Sequence, residues 1–220
     1  MQLRCFVVLG AFAASACTGV SKEECVTADW GAIGYEDGVA GRSVSSVSNW
    51  RSVCAKKAGV TVDMAAYRAG RDEGLRHYCR ASNGYAVGSR GGGYAGVCPA
   101  DIEQPFLAAY EAGHHLWSLE NAVSSIAGRI RQAQYDLRDV EHRIAETEIA
   151  LISPGRSATD RVALLAELKY LAEERAGIER KLDALSFDQA RAEDDLALYR
   201  DELAYDRVGL EAISPTEARY

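Results

Sequence analysis

The sequence predicts an all-α protein: a small disulfide-stapled helical domain continuing into a long antiparallel two-helix coiled-coil hairpin. Three observations carry this. Apolar residues recur three and four apart in two long runs from Phe106 to Leu210, interrupted once, at Ser153-Pro154-Gly155-Arg156-Ser157. Four cysteines, Cys25, Cys54, Cys79 and Cys98, all lie ahead of those runs. An aromatic ring followed three residues later by glycine comes back at Tyr35/Gly38, Tyr67/Gly70 and Tyr110/Gly113. With 220 residues, 48% hydrophobic and 26% charged, the chain is long enough for a buried core and too apolar to be disordered.

The first residues read as a targeting signal. Met1 to Arg4 is a short positive segment, and Cys5 to Ala13 is an apolar run well short of the roughly 20 residues that span a bilayer. Two cleavage readings meet at one bond. Ala14-Ser15-Ala16 is an ordinary signal-peptidase site, and with Cys17 it also resembles a bacterial lipobox, whose Cys is lipidated and becomes the mature N-terminus. A Cys at the first mature position favours the lipobox, and Thr18, rather than Asp, favours the outer membrane. The expected organisation is a signal peptide at 1–16, a tether at 17–24, the stapled domain at 25–104, the hairpin at 105–212 and a tail at 213–220. Cys25, Cys54, Cys79 and Cys98 then read as two disulfides with three possible connectivities. Their gaps of 29, 25 and 19 residues are unlike a zinc ribbon, and no metal is assigned.

Along the chain, helices are expected at 27–42, with Asp29 as its cap, at 45–58, closed by Gly59, and from Asp63 to about Cys79. Asn83-Gly84 reads as a turn, and Tyr85 to Val97 as a Gly-rich loop that lacks the Gly-Lys-Ser/Thr ending of a phosphate cradle. Gln104-Pro105 reads as the start of the next helix, Pro being harmless at a first position. Its seam runs from Phe106 through Gly113, Val123, Ala133, Val140 and Thr147 to Leu151; the returning seam runs from Leu164 to Leu210, with Arg175, Gln189 and Asp206 as imperfect steps. Each helix is about 50 residues, on the order of 70 Å at ~1.5 Å per residue, so the second can cover the first. Folding about Arg156 sets Gly113 opposite Tyr199, the small residue making room for the ring.

On a helix, residues three apart share a face, so each Tyr-x-x-Gly places a ring beside a gap. Close helix packing is one use of that gap. The other is a glycan- or peptide-binding platform built from Trp30, Tyr35, Tyr67, Tyr85, Tyr94 and Tyr110. The spacing of 32 and then 43 residues is too uneven for a solenoid.

The motifs together form a recognisable pattern. Ala28-Asp29-Trp30 with Ile33-Gly34-Tyr35-Glu36-Asp37-Gly38, then Tyr67, Gly70, Gly74-Leu75 and Tyr78-Cys79, then Asn83-Gly84, Gly88, Gly91, Tyr94 and Val97-Cys98-Pro99, resemble a bacterial family, the domain of unknown function 2799. Its members are small exported proteins, often lipoproteins, and the resemblance covers about residues 25–120. The family pattern carries a His ahead of the second-helix Cys. Asn49-Trp50-Arg51 stands there in this chain, which argues against a shared catalytic His. The resemblance implies location and fold, since the family has no established activity.

The chemistry of specific sites is thin. Glu111 with His114-His115 has the form of one half of a di-iron motif, but adjacent histidines diverge by about 100° and no second Glu-x-x-His exists. There is no Gly-x-Ser-x-Gly, and no Asp-x-Asp-x-Asp-Gly calcium loop. Glu36-Asp37 and Asp72-Glu73 read as solvated helix faces. An envelope hydrolase would need Glu36, Asp72, His77 and His114 to converge. No catalytic residue and no cofactor is assigned, and the chain is not expected to be an enzyme. The formal charge of −7 lies wholly beyond Leu116, where 14 basic face 21 acidic residues, so nucleic acid is not an expected partner. The expected partners are the membrane, through Cys17, and an envelope protein, through the acidic coiled coil.

Overall fold

The structure, a computed structural model, describes residues 20–213, with side chains through Tyr205. The signal segment 1–16, Cys17 and the tail beyond Ile213 lie outside the described residues. Within them the chain forms seven α-helices and a short 3₁₀ turn, with no strand: α1 Lys22–Thr27, α2 Trp30–Val39, the turn Val44–Ser46, α3 Val47–Ala58, α4 Met64–Tyr78, α5 Ala81–Gly88, α6 Ala100–Ile152 and α7 Ala158–Ile213. Among the described residues two compact units divide it, one running up to Gly84 with Tyr94–Leu107 and the other of Tyr85–Gly93 with the residues from Ala108 on.

Four helix ends in the first unit have a local cause. Ser21 and Glu24 form a reciprocal capping box that starts α1 inside the expected tether. Asp29 accepts the Ala32 N–H at 3.0 Å and starts α2, and Asp63 accepts two N–H groups to start α4. Gly59, with φ of 65°, closes α3 beyond Lys56 and Lys57, whose charges suit the negative helix end. The Cys25–Cys54 disulfide joins α1 to α3, and Trp30, Val47, Val62 and Tyr67 pack around it. The Cys79–Cys98 disulfide joins the end of α4 to the segment before α6. On loop length, closing 29 and 19 residues stabilises by about 3–4 kcal/mol each.

The tightest contact in this unit is between α2 and α4. Gly34 and Gly38 share one face of α2, and Gly70 and Gly74 share one face of α4. A Cβ on Gly34 would overlap the Tyr67 carbonyl, on Gly38 that of Arg71, on Gly70 that of Gly31, and on Gly74 that of Tyr35. The two main chains therefore touch with no side chain between them. Four glycines inside helices cost about 1 kcal/mol each, which direct backbone packing offsets.

Asn83-Gly84 and Tyr85–Gly88 belong to helix α5, not to the expected turn and Gly-rich loop. The reason is the same packing. Gly84 lies against the Phe106 carbonyl in the first unit. In the second, Gly88 lies against the Tyr110 carbonyl and Gly113 against that of Tyr85. The ring-glycine kernel thus occurs four times, in two pairs. Gly34-Tyr35-x-x-Gly38 followed by Ala65-Ala66-Tyr67-x-Ala69-Gly70 is repeated as Gly84-Tyr85-x-x-Gly88 followed by Ala108-Ala109-Tyr110-x-Ala112-Gly113. Each copy also contains one cysteine, Cys54 or Cys98, bridged to a partner just ahead of the copy, Cys25 or Cys79.

The second unit is the antiparallel hairpin. Gly155, with φ of 82°, makes the turn; Ser157 and Asp160 cap α7 reciprocally, and Arg161 donates to the Leu151 carbonyl at 2.7 Å. Cross-helix partners recede from this turn in step: Arg143 with Glu174 at 3.3 Å, Arg200 with Glu120 at 2.7 Å, and Tyr199 with Ala112. Ala133, Val140 and Thr147 are buried seven residues apart, facing α7, where Leu171, Leu185 and Leu196 are buried. The Thr147 hydroxyl is satisfied by the Arg143 carbonyl. Arg175 keeps its charge exposed, beside Glu179.

Two further expectations shift. Helix α6 begins at Ala100, with Asp101 and Glu103 in its first turn, so Pro105 sits inside it rather than at its start. Tyr199 does reach the level of Gly113, but its hydroxyl donates to the Ala112 carbonyl, and the gap at Gly113 is filled by the α5 backbone instead.

The glycines divide into two experimental classes. Gly38→Ala and Gly74→Ala force a methyl onto backbone and should destabilise by about 1–3 kcal/mol. Gly128→Ala and Gly177→Ala meet only the tips of Arg131 and Arg180, at 3.8 and 3.9 Å, and should stabilise by about 0.5–1 kcal/mol. Thermal melts of the four variants test the distinction; equal signs in both classes would refute it.

Candidate functional site

Asp37 is the chemically distinctive residue of the first unit. It lies on the same face of α2 as Gly34 and Gly38, and only 4% of it is exposed, whereas its neighbour Glu36 faces solvent. The expected solvated face is thus corrected for Asp37. Glycines on that face bring α4 so close that any side chain among them is covered. Its Oδ2 accepts the Tyr67 hydroxyl at 2.7 Å and the Ser46 hydroxyl at 2.6 Å; its Oδ1 accepts Arg42 Nη1 at 2.9 Å. Ser46 and Tyr67 lie 3.1 Å apart. One carboxylate therefore ties together α4, the 3₁₀ turn and the segment after α2. Arg71 adds a bond from its guanidinium to the Arg42 carbonyl at 2.8 Å.

Burial pushes the Asp37 carboxyl up, but the donors from Ser46, Tyr67 and Arg42 outweigh it and hold the group below its ordinary value. Burial raises the Tyr67 phenol, and the adjoining carboxylate raises it further. Asp37 is thus held charged and Tyr67 held protonated. That arrangement suits a structural latch, since Tyr67 is wholly buried and its proton is already committed.

The sequence-selected rings occupy different settings. Trp30 is 8% exposed and lies edge-on to Trp50; Tyr67 is the latch ring. Tyr35 is half-buried, edge-on to His77. Tyr94 packs on Phe106, donates to Glu103 at 2.8 Å and accepts the Cys98 N–H at 2.9 Å, pinning the segment that carries the second disulfide. In the second unit Tyr85 is half-buried on α5, and Tyr110 leans on His114, which leans on Trp117. Glu36, Asp72 and His77 are each exposed in the first unit; His114 belongs to the second. Among the described residues no cluster of three His, Cys, Asp or Glu could hold a metal, and no helix is long and apolar enough to cross a membrane. Cys17 lies outside them.

Among the described residues, two grooves stand out for their open surface. One, of about 390 Å³, runs along α3 past Ser48, Arg51 and Ser52 to Thr61. The other, of about 370 Å³, lies in the second unit between His115 and Leu119 of α6 and Asp195, Leu198, Tyr199 and Glu202 of α7. Sequence reasoning misses both. The second has a signal, for 195, 198, 199 and 202 fall on one helical face.

Residues 29–115 match the model of a family described as a protein of unknown function (DUF2799). That stretch runs from the α2 cap through the fourth ring-glycine kernel, so the family pattern coincides with the two glycine-packed pairs. No curated protein and no solved structure matches the chain.

The latch has a pH signature. Because folding lowers the Asp37 pKa, its stabilisation is fully present above the unfolded value, about 4, and is lost as pH falls through the folded one. Asp37→Asn should cost about 1–3 kcal/mol at pH 7 in urea unfolding. The variant should also lose less stability than the parent on acidification below about pH 4. Parallel acid slopes would exclude the latch.

Proposed function

We propose that this chain, whose residues 29–115 match a family of unknown function, is an exported cell-envelope lipoprotein of interaction type. It is held at the outer membrane through a lipid on Cys17 and presents its acidic coiled coil to a protein partner. The observation that carries the reading is the cysteine pairing. Cys25–Cys54 and Cys79–Cys98 take up every cysteine of the described residues in disulfides, which persist in an oxidising compartment. That leaves Cys17 outside the staples, directly after an apolar leader and an Ala-x-Ala site. The hairpin supports an interaction role because it carries exposed large apolar side chains, Tyr135, Phe187 and Leu198 among them.

Two other readings are weaker. A ring platform would need open faces, and Trp30 and Tyr67 are buried. A hydrolase would need convergent polar groups with a free lone pair or proton, and the buried polar cluster is spent on the latch.

Intact-mass analysis of the native protein tests the proposal. The expected chain starts at Cys17, carries a lipid-sized increment, and gains four hydrogens on reduction. Cys17→Ala should move the protein from the membrane fraction to the soluble envelope fraction. An unmodified N-terminus, or a cytoplasmic protein with free thiols, would overturn it.

A further inference from the structure

The hairpin is electrically polarised along its length. At its base, residues 108–128 hold two acidic and no basic side chains, and residues 186–205 hold six acidic and two basic. One of those two, Arg200, is engaged by Glu120 at 2.7 Å. The remaining length, residues 129–185, is nearly balanced, with ten basic and eleven acidic. Six of the seven net negative charges of the chain therefore lie at one end of the hairpin.

The second groove lies in this acidic end, and its lining is mixed in an informative way. Leu119 and Leu198 give it an apolar lining, and Leu198 is 70% exposed, an unusual setting for a leucine beside a seam. The Tyr199 ring forms one wall, held by its hydroxyl bond to the Ala112 carbonyl at 2.9 Å and by the His115 edge at 4.5 Å. Asp195 and Glu202, both exposed, flank Leu198 and Tyr199 one turn away on either side. An apolar lining and a fixed ring between two carboxylates match an aliphatic stem ending in a cation.

We propose that this groove docks a lysine- or arginine-bearing segment of the partner protein. The stem lies along Leu119 and Leu198 and the cationic head meets Asp195 and Glu202. This rests on the reading of the hairpin as an interaction arm and adds the chemistry of what it holds. A second copy of this chain is disfavoured as occupant, because it would bring like charge to like charge.

The test uses the purified mature chain with a fluorescein-labelled dodecapeptide of lysine, alanine and leucine, and its glutamate-for-lysine counterpart, read by fluorescence anisotropy. The lysine peptide should bind, more weakly as salt rises, and the glutamate peptide should not. Asp195→Asn with Glu202→Gln should weaken binding about tenfold, the combined worth of two exposed ion pairs. Leu198→Ala should weaken it by about threefold or more, and the remote pair Glu146→Gln with Glu148→Gln by less than about twofold. All five positions are exposed, so folding is not at stake. An equal loss from the remote pair would mean diffuse attraction and overturn the groove, as would indifference to Leu198→Ala or a lysine peptide that fails to bind. Failure of Cys17 lipidation with peptide binding intact would sink the proposed function alone. Lipidation with groove variants that bind like the parent would sink the groove alone.

Discussion

Main-chain contact between helices is the constraint on which the glycine-packed region depends. Where α2 meets α4, the carbonyls of Tyr67, Arg71, Gly31 and Tyr35 occupy the volume a methyl would need. Helix pairs usually stand 8–10 Å apart because side chains set the distance. Removing them lets dispersion act between backbones, and it covers whatever else lies on the glycine face. Asp37 is buried for this reason, and once buried it requires three donors. Packing thus comes first, and the polar latch follows from it.

How far the sequence can be read depends on the kind of force holding each part. The hairpin depends on side-chain burial, which leaves a 3-4 apolar period, and so its seams, turn and approximate register are all visible. The register sets Tyr199 at the level of Gly113, and it lies there, bonded to Ala112. The glycine-packed pairs leave no such period, since a contact surface made of glycine has no hydrophobic signature. Tyr85 to Gly88 reads as a loop because Gly is the usual punctuation between helices. Asp37 reads as solvated because charge on an amphipathic helix normally marks the outside. The rings are visible as residues but not their roles, for a Tyr that latches and a Tyr that lines a groove are the same letter. The disulfide pattern is legible as a count, and the pairing has to come from the fold.

The two copies of the ring-glycine signature have diverged where chemistry is concerned. Val87 stands where the first copy has Asp37, and Trp117 covers Gly91 as Tyr78 covers Gly41. The contact itself has slipped by one turn: Gly38 meets the carbonyl of Arg71, four residues past Tyr67, whereas Gly88 meets that of Tyr110. What both retain is the backbone approach and a covalent closure.

The two disulfides join consecutive cysteines, Cys25 to Cys54 and Cys79 to Cys98, so their loops neither nest nor cross. A chain that emerges N-terminus first presents the members of each pair together before the next pair exists. Among these four cysteines, and with Cys17 taken up by a lipid as proposed, an oxidant acting in order of appearance reaches the native pairing directly, and of the three connectivities open to them this one needs no later shuffling. Covalent assembly of the glycine-packed region can then be complete before the turn at Gly155 appears.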